Sequence, residues 1–226
     1  MIRIESLSKN FGSHTVLNNI SLTFSTGGVY GIVGENGAGK TTLFNCIAGM
    51  ESYQGRITAG HMPLKNHLGF LQTEPFFFSK ITGEEYLRLL CHARHKTAAQ
   101  VQQRNIFDLP LNQYAATYST GMKKKLALMA ILMQENDYFI LDEPFNGVDI
   151  QSNLLITAII QKLKALGKTI LISSHIFSTL RETCDEIHLL QNGSFIKKVA
   201  RDSFDSLEQE MKQVSIGGKI EQMGLK

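Results

Sequence analysis

Apolar and polar residues alternate along the opening part of the chain, over residues 2–7 and again over residues 16–24. Successive side chains of a strand point to opposite faces, so this alternation predicts strands with one buried and one solvated face. A continuous apolar run follows at residues 29–33 and ends in Gly34. That run predicts a short strand buried on both faces, beside an antiparallel β portion at the N-terminus.

The pattern changes to helical spacing after this glycine. Leu43, Ile47 and Met50 lie three or four residues apart, which predicts one helix over residues 40–50. A strand that ends in glycines and opens a helix is typical of a phosphate-binding turn, because the first N–H groups of a helix lack partners within it. A further short strand is predicted at residues 68–71.

The middle of the chain is predicted to be helical. Thr82 is followed three residues later by Glu85, which forms a capping box, and Ile81 and Tyr86 are placed to pack around it. The predicted helices of this segment cover residues 82–95, 97–109 and 120–134. They indicate a helical insert over residues 73–134.

Strands and helices alternate again after this insert. Asn192-Gly193 lies between two short apolar runs and predicts a type I′ hairpin turn. The remaining predictions are strands at residues 138–141 and 169–173, and helices at residues 152–166, 177–183 and 205–214. Strands that alternate with helices favour an α/β fold with a mostly parallel sheet.

Composition narrows the possible functions. Lys and Arg number 23 against 20 acidic residues, and a net charge of +3 gives little support to binding of nucleic acid. The 3 cysteines lack the spacing of a zinc site or a disulfide framework. The uncharged residues 10–34 are rich in polar side chains, and the apolar residues 126–133 fall short of the roughly 20 that a membrane-spanning helix needs. We therefore expect a chain of the reducing cytosol that does not span a membrane by itself.

Residues 34–41 read Gly-Glu-Asn-Gly-Ala-Gly-Lys-Thr and have the spacing of a P-loop. Its glycines allow backbone N–H groups to turn inward around phosphates, its lysine neutralises phosphate oxygens, and its threonine hydroxyl binds Mg²⁺. This motif predicts a nucleoside triphosphate site on a P-loop NTPase core. The candidate nucleotide-binding residues here are Asn36, Gly37, Ala38, Gly39, Lys40, Thr41 and Thr42.

The apolar strand at residues 138–141 ends in the paired carboxylates Asp142 and Glu143. Hydrolysis of a phosphoanhydride needs one group that holds the metal ion and another that accepts a proton from the attacking water. We assign Asp142, together with Thr41, to Mg²⁺ and Glu143 to the general base.

At this point the chain resembles, over essentially its whole length, the nucleotide-binding domain of an ATP-binding cassette transporter. Tyr118-Ser119-Thr120-Gly121-Met122 aligns with that family's LSGGQ-like signature. The resemblance implies that Ser119, Thr120 and Gly121 contact the ATP held by the P-loop of a second cassette. It therefore implies a homodimer or heterodimer of cassettes. We expect one domain over residues 1–226, with residues 1–72 and 135–226 in the core lobe and 73–134 in the helical lobe.

The signature departs from the family pattern at two positions. Thr120 replaces a glycine and Met122 replaces a glutamine, which puts tight closure around phosphate in question. Lys123, Lys124 and Lys125 follow in the first turn of the predicted helix, where cations oppose the helix dipole. Either these lysines form part of a site that binds an anion, or they form a solvated basic face.

Five further residues receive roles from the resemblance. It matches Gln72 to a glutamine that touches Mg²⁺ and the attacking water, and His175 to a histidine that contacts the γ-phosphate and positions the water of the general base. It implies that Asp149 lies at the dimer interface. It also implies that Phe11 stacks on adenine, with Val16 beside the ring.

Three consecutive aromatic residues, Phe76, Phe77 and Phe78, follow Gln72. Three aromatic rings in one loop cannot all face a single core, so we hypothesise that one or two line a groove for a cytoplasmic helix of a membrane subunit. Ordinary packing between the two lobes is the alternative.

The function predicted from these observations is Mg²⁺-dependent ATP hydrolysis that drives a separate transmembrane permease, with the cassettes at the cytoplasmic face of the membrane. The short helical lobe and the Ser-Thr-Gly-Met signature resemble bacterial export cassettes. One alternative is a regulatory module that binds ATP with little hydrolysis. A soluble cassette acting on ribosomes or chromosomes fits less well, because such relatives carry two cassettes or a long coiled-coil insert.

Overall fold

The computed structural model describes the backbone of residues 1–216 and the side chains of residues 1–211. In chain order the strands are β1 (Ile2–Phe11), β2 (His14–Phe24), β3 (Val29–Val33), β4 (Gln54–Ala59), β5 (Leu68–Leu71), β6 (Tyr138–Asp142), β7 (Thr169–Ser173), β8 (Glu186–Gln191) and β9 (Ser194–Ala200). The helices are α1 (Lys40–Ala48), α2 (Gly83–His92), α3 (Thr120–Met133), α4 (Ile150–Ala165), α5 (Phe177–Thr183) and α6 (Phe204–Ile216). Residues 217–226 of the predicted domain lie outside the described residues.

The strands form two sheets. One is antiparallel with the order β2-β1-β4, and the other has the order β5-β6-β7-β3-β8-β9. The first five strands of the larger sheet are parallel, and β9 pairs antiparallel with β8. The predicted α/β fold with an antiparallel N-terminal portion is confirmed. Strand β4 was not predicted. Ile57 is its only buried residue, so its sequence shows no clear alternation of apolar and polar residues.

The register of the parallel strands brings several chain segments to one edge. Asp142 at the end of β6 pairs with Ser173 at the end of β7, and Ser173 also pairs with Ile32 near the end of β3. Parallel strands place their carboxyl ends on the same side of a sheet, which is where α/β folds bind ligands. The loops that follow these strands therefore meet along this edge.

Apolar clusters cover both faces of the larger sheet. The first cluster joins the antiparallel sheet to α1 and one face of the larger sheet, and it includes Ile4, Phe24, Phe44 and Ile140. The second cluster, on the opposite face, includes residues of α3 to α6. A third cluster lies wholly within the predicted insert, where α2 packs against α3. Helix α3 contributes side chains to both the second and the third clusters.

The capping box at the start of α2 is confirmed. The Glu85 N–H donates to Thr82 Oγ1 at 3.2 Å, and the Thr82 N–H donates to a Glu85 carboxylate oxygen at 2.8 Å. The helix ends at His92 instead of His95, because His95 adopts a positive φ of 54° and the Lys96 N–H turns back to the Cys91 carbonyl. This geometry satisfies carbonyls that the helix end leaves without partners.

The helix predicted at residues 97–109 is wrong, since this stretch contains turns only. Asn105 bonds the backbone of Leu109 twice, donating to its carbonyl and accepting from its N–H. Such local side-chain bonds compete with helical ones. Pro110 follows and disfavours a helical Leu109, and Gln100 and Asp108 have positive φ.

The predicted hairpin turn is confirmed, with φ of 48° at Asn192 and 74° at Gly193. The Gly193 carbonyl accepts from the Asn18 N–H at 2.9 Å, which links the hairpin tip to β2. A Cβ at position 193 would lie 2.3 Å from the Val16 carbonyl oxygen, so glycine is required here for space as well as for conformation. The turn therefore joins the two sheets near Val16.

His188 in β8 makes stability depend on pH. Its ring is 1% exposed and lies among Phe24, Tyr30 and Phe195. Burial lowers its pKa to about 4, although Glu186 pulls in the opposite direction. In the unfolded chain the pKa is near 6.5. Between pH 6.5 and 4 the unfolded state therefore binds more protons than the folded state, and stability falls as the pH falls.

We expect His188 to lower the free energy of unfolding by about 2 kcal/mol between pH 7 and pH 5. His188→Leu removes the titrating group, so urea unfolding of this variant should show a correspondingly smaller loss over that range. His14→Leu, at an exposed position in β2, is the matched control. Equal pH dependence in wild type and His188→Leu would exclude His188 as the cause.

Candidate active site

A cavity of about 380 Å³ opens at the carboxyl edge of the larger sheet. Its wall combines the loop after β3, the start of α1, and residues that follow β5, β6 and β7. The lining residues are Val16, Asn36, Gly37, Gly39, Lys40, Thr41, Thr42, Thr73, Asp142, Glu143 and His175. Segments more than a hundred residues apart in sequence thus meet around one space, and most of the predicted site residues lie there.

The loop between β3 and α1 has the geometry of an anion site. Gly37 and Gly39 have φ of 84° and 106°, a region that favours glycine. No side chain caps the N-terminus of α1, so its first N–H groups remain available for phosphate. A Cβ on Gly37 would meet no atom within 4 Å, which shows open space above the loop. Ala38 is buried beneath the loop and does not line the cavity.

Lys40 lies in the cavity wall and donates to the carbonyls of Gly34 at 2.8 Å and Glu35 at 3.1 Å. Burial lowers the pKa of Lys40, and the carboxylates of Glu143 and Asp142 act in the opposite direction. Lys40 lines the same cavity as both acids, and a phosphate group there would replace the two carbonyls as the partner of its ammonium.

Asp142 joins three chain segments through hydrogen bonds. Its Oδ2 accepts from Thr41 Oγ1 and from Thr73 Oγ1, both at 2.8 Å, and its Oδ1 accepts from Ser173 Oγ at 2.5 Å. The residue is 1% exposed. Carboxylate and hydroxyl oxygens are the hard ligands that Mg²⁺ takes up, so Asp142 and Thr41 fit the predicted metal position.

Glu143 is held beside His175. Its backbone has φ of 53°, a left-handed conformation that is uncommon for a residue with a side chain. The Glu143 N–H donates to Ser173 Oγ at 3.0 Å, and the His175 N–H donates to Glu143 Oε2 at 3.2 Å. His175 Nε2 lies 3.1 Å from Glu143 Oε1. These contacts aim the carboxylate into the cavity opposite the P-loop.

Comparison with known proteins agrees with this geometry. A family model described as "ABC transporter" matches residues 17–146, more than half of the chain. The chain belongs to the ABC transporter family. As a member, it is an ATPase cassette, and its P-loop, Asp142 and Glu143 all lie inside the matched segment.

Individual relatives extend the likeness to most of the chain. It is 33% identical to the ABC transporter ATP-binding protein NatA of Bacillus subtilis (strain 168), over 90% of this chain and 91% of NatA. It is 31% identical to the bacitracin transport ATP-binding protein BcrA of Enterococcus faecalis, over 88% of this chain and 69% of BcrA. A solved structure of the ATP binding subunit of an ABC transporter is 26% identical and covers 98% of this chain and 97% of its own, with a TM-score of 0.81.

The cassette does not bring Gln72 into the cavity. Its Nε2 lies 3.6 Å from Met50 Sδ, whereas the hydroxyl of Thr73 bonds Asp142. The structure thus places Thr73, and not Gln72, against Asp142. The catalytic and metal-binding roles of Gln72 stay a prediction. Thr73 was missed because a single threonine at a strand end carries no sequence signal.

The signature residues lie outside the cavity of their own chain. Ser119 caps α3 by accepting from the Met122 N–H at 3.3 Å, and both Ser119 and Thr120 are exposed. Gly121 packs on the loop after β6, since a Cβ there would lie 2.5 Å from the Gly147 carbonyl oxygen. Asp149 caps α4 by accepting from the Ser152 N–H at 2.8 Å, and its side chain is exposed outside the cavity.

The three lysines of α3 take three different environments. Lys123 is partly exposed, and Lys125 bonds Asp149 at 3.0 Å. The hydrogen bond from the Ser152 backbone, followed by the bond from Lys125, lowers the pKa of Asp149. Lys124 is 1% exposed and donates to the carbonyls of Glu143 at 2.6 Å and Asn146 at 3.2 Å. Neither alternative from the sequence describes Lys124, which instead joins the signature helix to the backbone of Glu143.

Phe11 and Val16 lie in neighbouring parts of β1 and β2. Val16 lines the cavity, whereas Phe11 is exposed outside it, with Lys9 Nζ 4.6 Å from its ring centre. The structure therefore brings Val16 to the cavity, whereas the Phe11 ring is exposed outside it and contacts Lys9. Stacking of Phe11 on a base stays a prediction.

The aromatic run after Gln72 divides into two parts. Phe77 packs against Tyr86 at 4.6 Å between ring centres, whereas Phe76 and Phe78 are 71% and 57% exposed. The two exposed rings contact each other edge to face at 5.4 Å. We call Phe76 and Phe78 the aromatic pair.

We expect Lys124→Met to slow turnover while leaving the KM for ATP near its wild-type value, because Lys124 supports Glu143 from behind and does not line the cavity. The variant removes the ammonium donor from both carbonyls, although the Glu143 carbonyl still accepts from the Asn146 N–H at 3.2 Å. Loss of two hydrogen bonds from a charged donor should lower the free energy of unfolding by about 1–3 kcal/mol. Steady-state ATPase kinetics and urea unfolding measure both effects. Lys162→Met, at an exposed position in α4, is the control. Unchanged kcat in Lys124→Met would show that the contact is structural only.

Proposed function

We propose that this cassette hydrolyses ATP and thereby powers export of a substrate through a separate transmembrane subunit. The observation that carries the proposal is the convergence of Lys40, Thr41, Asp142, Glu143 and His175 around one cavity. In the described part of the chain no helix is long and apolar enough to cross a bilayer, and the proposal assigns the path through the membrane to the separate subunit.

In the proposed complex the triphosphate of ATP lies on the P-loop. The free N–H groups at the start of α1 and the ammonium of Lys40 neutralise its oxygens. Thr41 and Asp142 would hold Mg²⁺, and the ion would supply positive charge to offset the charge that develops on the phosphate oxygens. Thr73 and Ser173 keep the Asp142 carboxylate oriented through their hydroxyls.

Hydrolysis then requires a water molecule between Glu143 and the γ-phosphorus. As the water oxygen bonds phosphorus, its proton passes to a Glu143 carboxylate oxygen, and the bond from phosphorus to the bridging oxygen of ADP breaks. His175, next to Glu143 Oε1, hydrogen-bonds the γ-phosphate and keeps the water in line. The products are ADP and inorganic phosphate, and Glu143 returns its proton to solvent.

The active form is a head-to-tail dimer of identical or related cassettes. Ser119, Thr120 and Gly121 lie outside the cavity of their own chain, so these signature residues contact ATP only when a second copy presents them. Asp149, exposed at the start of α4, meets the partner along the same interface.

Transport places the cassettes at the cytoplasmic face of the membrane, with the aromatic pair against a cytoplasmic helix of the permease. The exposure of both rings supports this contact, since apolar groups on a surface often mark partner sites. The name of BcrA, bacitracin transport ATP-binding protein, favours transport of an antimicrobial substance. The ATPase assay below also separates this function from a regulatory module with little hydrolysis.

We expect Glu143→Gln to bind ATP normally and to lower kcat by about 10²–10⁴-fold, because an amide cannot accept the proton of the attacking water. Single-turnover hydrolysis and binding of a fluorescent ATP analogue measure the two properties. Glu182→Gln, at an exposed position in α5, is the control. Near-normal turnover in Glu143→Gln would remove Glu143 as the base, and absence of turnover in the wild-type transporter would favour the regulatory module.

We expect the double variant Phe76→Asp, Phe78→Asp to keep the basal ATPase activity of isolated cassettes and to lose assembly with the membrane subunit. Charged groups at an apolar contact would have to be buried without partners. Co-purification of the intact transporter and its substrate-stimulated ATPase activity measure the loss. The variant Phe76→Tyr, Phe78→Tyr keeps the rings and should assemble. Normal assembly of the aspartate variant would move the contact elsewhere.

A further inference from the structure

A second cluster of metal-binding side chains lies at the opposite edge of the larger sheet. It consists of His61 after β4, His67 before β5, and Asp137 before β6. The potential ligand atoms of the three residues all lie within 4.8 Å of one another. Asp137 precedes Asp142 by five residues of an extended strand, which separates this cluster from the catalytic cavity by about 16 Å.

We propose that His61, His67 and Asp137 form a binding site for a divalent transition-metal ion, with Zn²⁺ as the preferred class. Two imidazole nitrogens and one carboxylate oxygen are a usual protein ligand set for zinc, with water at the remaining position. The open, half-exposed surface leaves room for that water. Alkaline-earth ions, which prefer oxygen ligands, fit this set less well.

The distances suit a small ion. His67 Nδ1 and Asp137 Oδ2 lie 3.1 Å apart, and two ligands of one tetrahedral zinc ion lie about 3.3 Å apart. Because all the ligand atoms lie within 4.8 Å of one another, no separation has to close by more than about 1.5 Å, which rotation of the exposed His61 side chain can supply. The His61 and His67 rings already stack, with their centres 5.0 Å apart.

The backbone holds the three ligands together without a metal ion. The His67 carbonyl accepts from the N–H groups of both Asp137 and Tyr138 at 3.0 Å, and the His61 N–H donates to the Tyr138 hydroxyl at 3.3 Å. The His67 backbone and the His61 N–H are therefore both bonded to Asp137 or Tyr138, and this preorganisation lowers the entropic cost of binding an ion.

Lys168 forms an ion pair with Asp137. Its ammonium donates to Asp137 Oδ1 at 2.9 Å, while Oδ2 is the oxygen that faces His67. The carboxylate thus has one oxygen for the ion and one for an outer partner, an arrangement common around metal ligands. A bound ion would tie the loop after β4, at the end of the antiparallel sheet, to the start of β6 in the larger sheet.

Calorimetric titration with Zn²⁺ tests the site. The protein should carry no affinity tag, and no nucleotide should be present. We expect one Zn²⁺ per chain and a zinc-dependent rise in Tm for the wild type. His61→Ala, His67→Ala and Asp137→Asn should each weaken zinc binding more than about tenfold, since even outer-shell changes cost 10–100-fold. His14→Ala should change neither property.

Two further measurements keep the outcome clear. Circular dichroism melting without metal shows whether each variant folds, and if His67→Ala fails to fold, His61→Ala and Asp137→Asn decide. His175→Ala tests whether zinc binds in the catalytic cavity instead. Absence of zinc binding in the wild type, or loss in His175→Ala with retention in the three cluster variants, would overturn the proposal.

Discussion

The alignment of parallel strand ends is the constraint on which the site depends. Asp142 and Ser173 end neighbouring strands in register, and the same carboxylate also bonds Thr41 in the first turn of α1 and Thr73 in the segment after β5. A buried carboxylate is costly unless every oxygen has a donor, and here three hydroxyls supply them. The same bonds that make Asp142 tolerable in the core therefore gather the P-loop, the metal position and the base.

The catalytic edge brings opposite charges together around one cavity, and the proposed chemistry follows from that arrangement. Lys40, Asp142 and Glu143 line the same cavity, so a triphosphate bound there would meet a cation, the free N–H groups of α1 and the proposed base. Glu143 reaches its place only through an uncommon backbone conformation. Ser173, His175 and Lys124 hold that conformation from three sides.

Much of this could be predicted from the sequence because the decisive residues are contiguous. Residues 34–41 and the acidic end of β6 form motifs of fixed spacing, and the capping box of α2 is likewise local. Thr73 and Lys124 were beyond reach, since each acquires its role from a hydrogen bond to a residue far along the chain. The prediction of a helix at residues 97–109 was wrong because the Asn105 side chain bonds the backbone of Leu109, and the spacing of apolar residues carries no information about such bonds.

Helix α3 is buried along two sides, against the larger sheet and against α2. Its 14 residues make a rod about 20 Å long, with Lys124 one turn from its exposed tip. A rod so enclosed cannot bend to absorb a displacement, so a tilt of about 5° would carry its far end by nearly 2 Å. In the proposed dimer, a partner that contacts this tip would displace Lys124 and, through its hydrogen bond, the Glu143 carbonyl, so the rigidity of one helix would couple the dimer interface to the proposed base.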